Sequence, residues 1–317
     1  MKAVYVEKFG GVENLIIGDL PQPQPGPGQA LVKIAATGVN FIDVYFRIGL
    51  YPATPPVVLG NEGAGTVEAI GPDVANVRPG DHVAYAMARG SYAEYAVVPA
   101  WQLVKIPASV DFQTASSAML QGMTAHYLTH STYPLKSGDS CLIHAAAGGT
   151  GRLLVQMAKM RGARVVATVG NEEKARQARE VGADEVIIYT KEDFVAKIKG
   201  TMNVVYDSVG KATFMQSLDC LRPRGMMVSF GNASGAVPDF APLILSQKGS
   251  LFLTRPSLAH YSSTQEELDR RAGDVLNWIS QGKLKLHIHK VYPLAEAAQA
   301  HRDLEGRQTT GKLLLVP

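Results

Sequence analysis

Cysteine is scarce in this chain: Cys141 and Cys220 are the only two among 317 residues. That scarcity excludes a disulfide framework and any zinc site built from four thiolates. Charge of one sign is equally short. With 31 Lys and Arg against 28 Asp and Glu, the formal balance is +3, too weak to argue for nucleic acid or an acidic membrane as a partner. No stretch approaches the roughly 20 uncharged apolar residues of a membrane span. The opening Met1-Lys-Ala-Val-Tyr-Val-Glu-Lys-Phe9 has no apolar run behind its first basic residue, so it does not read as a secretory leader. Internal repeats and low-complexity runs are missing as well. These absences predict a soluble protein of the reducing, cytoplasmic compartment.

What is present is ordinary globular composition, 46% apolar and 19% charged, at a length suited to about two domains. The first third reads as short strands: Lys2–Val6, Ala30–Ala35, Gly65–Ile70, His82–Ala86, Tyr92–Val98 and Gln102–Ile106. Gly and Pro punctuation such as Pro21-Gln-Pro-Gln-Pro-Gly-Pro-Gly28 separates them. This pattern predicts a sandwich or barrel. Near residue 112 the pattern changes, beginning with a long helical stretch over Phe112–Ser131. Strands at Ser140–His144, Arg164–Val169, Glu185–Ile188, Asn203–Tyr206, Met226–Phe230 and Ser250–Thr254 then follow, interleaved with helices at Gly149–Arg161, Glu172–Val181, Lys191–Lys199 and Ala212–Leu221. Strands nearly continuous in Val, Ile and Leu, separated by helices, predict a parallel sheet covered on both faces. The C-terminal segment, with a helix at Thr264–Gln281 and strands at Leu286–Tyr292 and Lys312–Val316, is too short for a domain. It is expected to return to the β domain. The predicted class is α/β, with a doubly wound domain over 124–256 and a discontinuous β-rich domain over 1–123 and 257–317.

The most informative stretch is Cys141-Leu-Ile-His-Ala-Ala-Ala-Gly-Gly-Thr-Gly151. A strand leads through small residues into an amphipathic helix. Ala146, Gly148 and Gly151 hold the three places of a G-x-G-x-x-G turn. Small residues are needed there because backbone amides must approach a pyrophosphate closely, at a helix N-terminus that supplies partial positive charge. An NAD site usually adds an acid at the end of the second strand, to bond the ribose hydroxyl. Here that strand ends Thr-Val-Gly170 with no carboxylate, and Lys174 stands within one turn. A missing acid and an added cation suit a 2′-phosphate, so the residues lean to NADPH.

Five motifs in order, Val39-Asn-Phe-Ile-Asp-Val-Tyr-Phe-Arg-Ile-Gly-Leu-Tyr51, Leu59-Gly-Asn-Glu-Gly-Ala-Gly-Thr-Val-Glu68, Ala145–Gly151, Val205-Tyr-Asp-Ser-Val-Gly210 and Val228-Ser-Phe-Gly-Asn232, carry a resemblance. The chain resembles, over its whole length, the zeta-crystallin-like quinone oxidoreductases of the medium-chain dehydrogenase/reductase superfamily. The resemblance implies a Rossmann domain with a GroES-like catalytic domain and reduction of quinones by NADPH in a homodimer. It implies catalytic-site places for Asn40, Asp43, Tyr45 and Tyr51, with Asn40 and Tyr45 also beside the nicotinamide. Cofactor contacts are implied for Thr124, Gly148, Gly149, Thr150, Gly151, Gly170, Lys174, Tyr189, Ser208, Phe230, Gly231, Asn232, Phe252 and Thr254. Thr150 replaces the usual valine of the family's loop. Where zinc-dependent members have Gly-His-Glu, this chain has Gly60-Asn61-Glu62. Asparagine is a poor zinc ligand, so no metal is expected. A quinone is electrophilic enough to need mainly proximity and orientation.

An enone or enoyl reductase of the same fold is the enzymatic alternative, and a cofactor-bound RNA-binding or structural protein is the alternative of another class. The near-neutral charge speaks against RNA. His287 and His289 alternate on one strand without a third ligand, and no serine sits in a G-x-S-x-G elbow. Cys141 and Cys220 read as buried thiols. Arg222, Arg224, Arg270 and Arg271 read as solvated.

Overall fold

The structure, a computed structural model, describes residues 1–317. It divides into two compact units, Met1–Met123 with Ser262–Pro317, and Thr124–Tyr261. No helix is long and apolar enough to cross a membrane.

The first unit opens with β1 (Lys2–Val6), paired antiparallel to β2 (Ile16–Asp19). The strand β2 was not anticipated, because only its alternate residues are partly buried and Gly18 interrupts the apolar pattern. Next come β3 (Gln29–Val39), α1 (Phe41–Arg47), β4 (Val57–Val58), β5 (Glu62–Ile70), β6 (His82–Ala86), β7 (Tyr95–Pro99) and β8 (Val104–Lys105). The long strand β3 is the hinge of the sheet. It pairs antiparallel with both β5 and β7, and β5 continues through β6 to β8. Val32, Val67, Val83, Tyr85 and Val98 fill one core beneath this sheet. At about 1.5–3 kcal/mol for each large apolar side chain removed from water, such a core supplies much of the unit's stability. Helix α2 (Phe112–Tyr127) carries the chain onward.

The second unit is a six-stranded parallel sheet. Its strands are β9 (Ser140–Ile143), β10 (Arg164–Val169), β11 (Glu185–Ile188), β12 (Met202–Asp207), β13 (Leu221–Ser229) and β14 (Phe252–Thr254). Between them lie α3 (Gly149–Met160), α4 (Glu172–Glu180), α5 (Phe194–Ile198), α6 (Phe214–Cys220) and α7 (Leu243–Gln247), and α8 (Leu258–Tyr261) follows. The order β11-β10-β9-β12-β13-β14 reverses direction beside β9, which is the doubly wound arrangement with a switch point between β9 and β12. Burial explains the unbroken Val, Ile and Leu runs: all six residues of β12 are buried. The expected boundary at 257 moves to 262 because α8 stays with this unit, its Tyr261 ring stacked on Tyr127 at 4.4 Å.

The chain then returns to the first unit through α9 (Gln265–Ser280), β15 (Ile288–Pro293), α10 (Ala297–Glu305) and β16 (Lys312–Val316). Strand β16 pairs antiparallel with β3, Leu313 opposite Val39 and Leu315 opposite Thr37. Arg271 is not solvated as expected. It is 1% exposed, because it shares the inward face of α9 with Leu268, Ala272 and Val275, and Glu267 lies 3.7 Å from its guanidinium. His287 precedes β15 instead of alternating along it, and both it and His289 lie beside the Thr310 hydroxyl.

Candidate active site

Strand β3 delivers Asn40 to the start of α1, where it is the N-cap. Its backbone N–H donates to Asp43 Oδ2 at 2.8 Å, the reach-back half of a capping box. Asp43 is wholly buried, and it also accepts from Asn61 Nδ2 at 2.7 Å and from the Tyr92 hydroxyl at 3.1 Å. Behind Tyr92 stand His301 and Arg47. Arg47 donates to both carboxylate oxygens of Glu305, at 2.8 and 2.9 Å, and lies 3.0 Å from His301 Nδ1. A guanidinium cannot accept, so Nδ1 accepts and Nε2 carries the proton. Nε2 therefore donates to the Tyr92 oxygen at 3.2 Å, and Tyr92 donates onward to Asp43. Burial, and then the Arg47 charge, push His301 down to about 3, so the ring is neutral and the chain of bonds runs one way.

A second buried group meets the same loop from the other side. Asn40 Nδ2 donates to Glu62 Oε2 at 2.9 Å and to the Gly38 carbonyl at 3.1 Å. Its Oδ1 accepts from Lys312 Nζ at 2.7 Å and from Gln121 Nε2 at 3.3 Å. Lys312 and Glu62, 2% and 0% exposed, form an ion pair, and Glu62 Oε1 accepts from the Leu120 amide at 2.6 Å. Every hydrogen-bonding position of the Asn40 amide is thus committed within the protein. Glu62, Lys312, Tyr92 and His301 were not singled out in the sequence. The quoted Gly60-Asn61-Glu62 triplet was the available signal for Glu62, and a lysine opening the apolar run of β16 was the signal for Lys312.

The aromatic residues come together after α1. The amides of Leu50 and Tyr51 both bond the Tyr45 carbonyl, at 2.9 and 3.2 Å, and fold the chain back. The Tyr45 and Tyr51 rings meet edge to face at 5.2 Å, with Phe46 5.7 Å from Tyr51. Edge-to-face contacts of this kind hold the rings in fixed orientation.

In the second unit the turn after β9 delivers Gly148 as N-cap of α3. A Cβ on Gly151 would stand 2.3 Å from the Ala145 carbonyl, so only glycine lets this helix start so close to the turn. That leaves the first amides of a twelve-residue helix without intrahelical partners, a setting for an anion. Gly149 and Thr150 are the first two residues of this helix. At the end of β10, a Cβ on Gly170 would meet the Tyr189 hydroxyl at 2.9 Å, which places Tyr189 over that strand end. Lys174 is the third residue of α4, its amide capped by Asn171 at 2.9 Å. Glu172 and Glu173 are engaged elsewhere, by Lys191 and Arg176. Across the switch point, Gly231 packs on Ser208, a Cβ meeting its carbonyl at 2.5 Å. Phe230 bonds back to the Asp207 carbonyl at 2.8 Å, and Asn232 lines a 540 Å³ cleft with Ser229 and Phe240. Thr124 is buried at the head of the unit, whereas Phe252 on β14 is 58% exposed, with Thr254 two residues on.

Residues 26–108 match the alcohol dehydrogenase GroES-like domain, and 181–315 match a family described as zinc-binding dehydrogenase. The chain is 45% identical to a quinone oxidoreductase of Pseudomonas aeruginosa, covering 100% of this chain and 99% of that one. It belongs to the quinone oxidoreductase family of medium-chain dehydrogenases/reductases. The crystal structure of Escherichia coli quinone oxidoreductase complexed with NADPH superposes with a TM-score of 0.98 at 42% identity, covering 100% of both chains. A 2-haloacrylate reductase from a Burkholderia species is 43% identical over 99% of this chain and 98% of its own. The zinc of the matched family description finds no fitting donors among these residues. Asn61, in the histidine's place, is spent on Asp43, and no three His, Cys, Asp or Glu side chains converge on a point.

Burial pushes Asp43 up from 3.8 to about 6, against the opposing hydrogen bonds of Asn61 and Asn40 and the Lys312 charge. The folded chain therefore keeps this proton to a higher pH than the unfolded chain. Stability from this group is full below about pH 4 and is lost as pH rises through about 6. Relative to Asp43→Asn, wild-type unfolding free energy should fall by up to about 3 kcal/mol between pH 4 and pH 7. Urea unfolding of both proteins at the two pH values checks this, and parallel pH profiles would refute the buried titration.

Proposed function

We propose that this chain transfers reducing equivalents from NADPH to a quinone without a metal. The observation that carries the reading is the end of β10, where no acid stands, Tyr189 lies against Gly170 and Lys174 follows in the first turn of α4. The full-length likeness to a quinone oxidoreductase complexed with NADPH supports it. The cradle fits the cofactor: Gly148, Gly149, Thr150 and Gly151 would take the pyrophosphate at the start of α3, and Lys174 with Tyr189 the 2′-phosphate. Thr124, Ser208, Phe230, Gly231, Asn232, Phe252 and Thr254 would hold the nicotinamide half. When bound, NADPH supplies two electrons and one proton, and a second proton completes the hydroquinone.

This chain's own residues then orient and enclose. Tyr51, half-buried and held edge to face by the buried Tyr45, would offer a rigid ring surface to a planar acceptor. Asn40 and Asp43 act as positioning residues, because their polar atoms are tied to Glu62, Lys312, Asn61 and Tyr92. Nothing further is required of the protein, since the acceptor is already electrophilic and proximity supplies most of the advantage. Both cysteines are unpaired and buried, which suits a reducing cytoplasm. We also infer a homodimer through β14, which ends its sheet as an unpaired edge.

Lys174→Ala should weaken NADPH by ~1.5–3 kcal/mol, about 10- to 150-fold, with NADH little changed. Equal losses for both cofactors would remove the 2′-phosphate role. An NADPH-oxidation panel should show turnover with quinones and none with aldehydes. Turnover confined to 2-haloacrylates and enones would move the function to alkene reduction. Sedimentation velocity should report a dimer, and a monomer at micromolar concentration would dismiss the edge pairing.

A further inference from the structure

An exposed apolar ridge adjoins the Tyr45–Tyr51 pair. Ile48 and Leu50, on the turn after α1, are 44% and 42% exposed, and Phe9 is 38% exposed. Gly49 brings the three together: a Cβ there would stand 2.8 Å from the Phe9 ring, so the ring lies directly on the turn. The ridge is firmly attached. Ile48 and Leu50 bond the carbonyls of Val44 and Tyr45, both at 2.9 Å, and Gly10 bonds the Arg47 carbonyl at 3.0 Å. Single exposed apolar residues need no explanation, but two on one hydrogen-bonded turn with the Phe9 ring laid against it form a patch, where polar turn residues would be usual. Tyr51 joins this patch to the aromatic pair, since it touches Tyr45 and Phe46 and follows Leu50 in the chain. The opposite side of α1 has no part in it, because Asp43 and Arg47 are spent on buried partners.

We propose that this ridge receives the hydrocarbon tail of an alkyl- or prenyl-substituted quinone whose ring lies against Tyr51. The inference rests on the quinone reading above and names the substrate class within it. A small water-soluble acceptor would make no use of apolar surface outside the ring site. A tail does, each methylene half-shielded on the ridge tightening binding about twofold.

The test compares a bare methoxy-substituted benzoquinone with the same ring bearing a decyl chain, in wild type and in the double variant Ile48→Ser/Leu50→Ser. Wild type should show a KM at least about tenfold lower for the decyl quinone, with similar kcat. The double variant should lose that advantage while keeping KM and kcat for the bare ring, a split that general loss of structure would not produce. Equal KM for both quinones in wild type, or an equal rise for both in the variant, would overturn the tail assignment and leave quinone reduction standing. Turnover of neither quinone would overturn both. Co-sedimentation with phosphatidylcholine vesicles and no tail preference would overturn it in favour of a lipid-facing ridge.

Discussion

A lysine ammonium buried against a glutamate carboxylate is the contact on which the candidate site depends. Lys312 and Glu62 lie 250 residues apart in the chain and are almost fully shielded from water. Taking two charges out of water is costly, and the pair is tolerated only because further partners satisfy both ends. Those partners are the site itself: the Asn40 amide, which bonds both ions, and the Leu120 amide on α2. The ions therefore fix where β3 ends, where α1 begins and how α2 approaches. Because Lys312 is on β16, the arrangement closes only after the C-terminal strand has paired with β3. Completion of the β unit and preorganisation of the site are one event.

The Arg47–His301–Tyr92–Asp43 chain repeats this logic with neutral links. Glu305 on α10 holds Arg47, Arg47 sets the histidine tautomer, and the histidine orients Tyr92 toward Asp43. Both networks converge on the first turn of α1, the helix that carries Tyr45. Rigid polar scaffolding of this kind lets an apolar, aromatic face be presented without reagents of its own. That suits an acceptor whose reactivity lies in its own ring and a donor whose reactivity lies in its cofactor.

Much of this was legible in the chain. The small residues of Ala145–Gly151 between an apolar strand and an amphipathic helix spelled out the tight turn into α3, because close backbone approach leaves a local composition signal. The parallel sheet was legible for a similar reason: strands buried on both faces lose their polar alternation. The networks were not legible. Their partners meet through tertiary folding, so Lys312 read as the polar start of a strand and His301 as one histidine among eight. Arg271 failed differently. Its spacing from Leu268 and Val275 places it on the inner face of α9, whereas its charge reads as solvated.

The most direct test of the Glu62–Lys312 contact is a double-mutant cycle using Glu62→Gln and Lys312→Met, read by urea unfolding and by NADPH-dependent quinone turnover. Each single variant strands a buried polar partner and should cost about 3–5 kcal/mol, whereas the double variant should recover part of it. A coupling energy of about 1–3 kcal/mol in stability, with a coupled loss in turnover, is the predicted result. Additive effects in both readouts would contradict it, because the ions would then act independently and could not be what holds Asn40 in place.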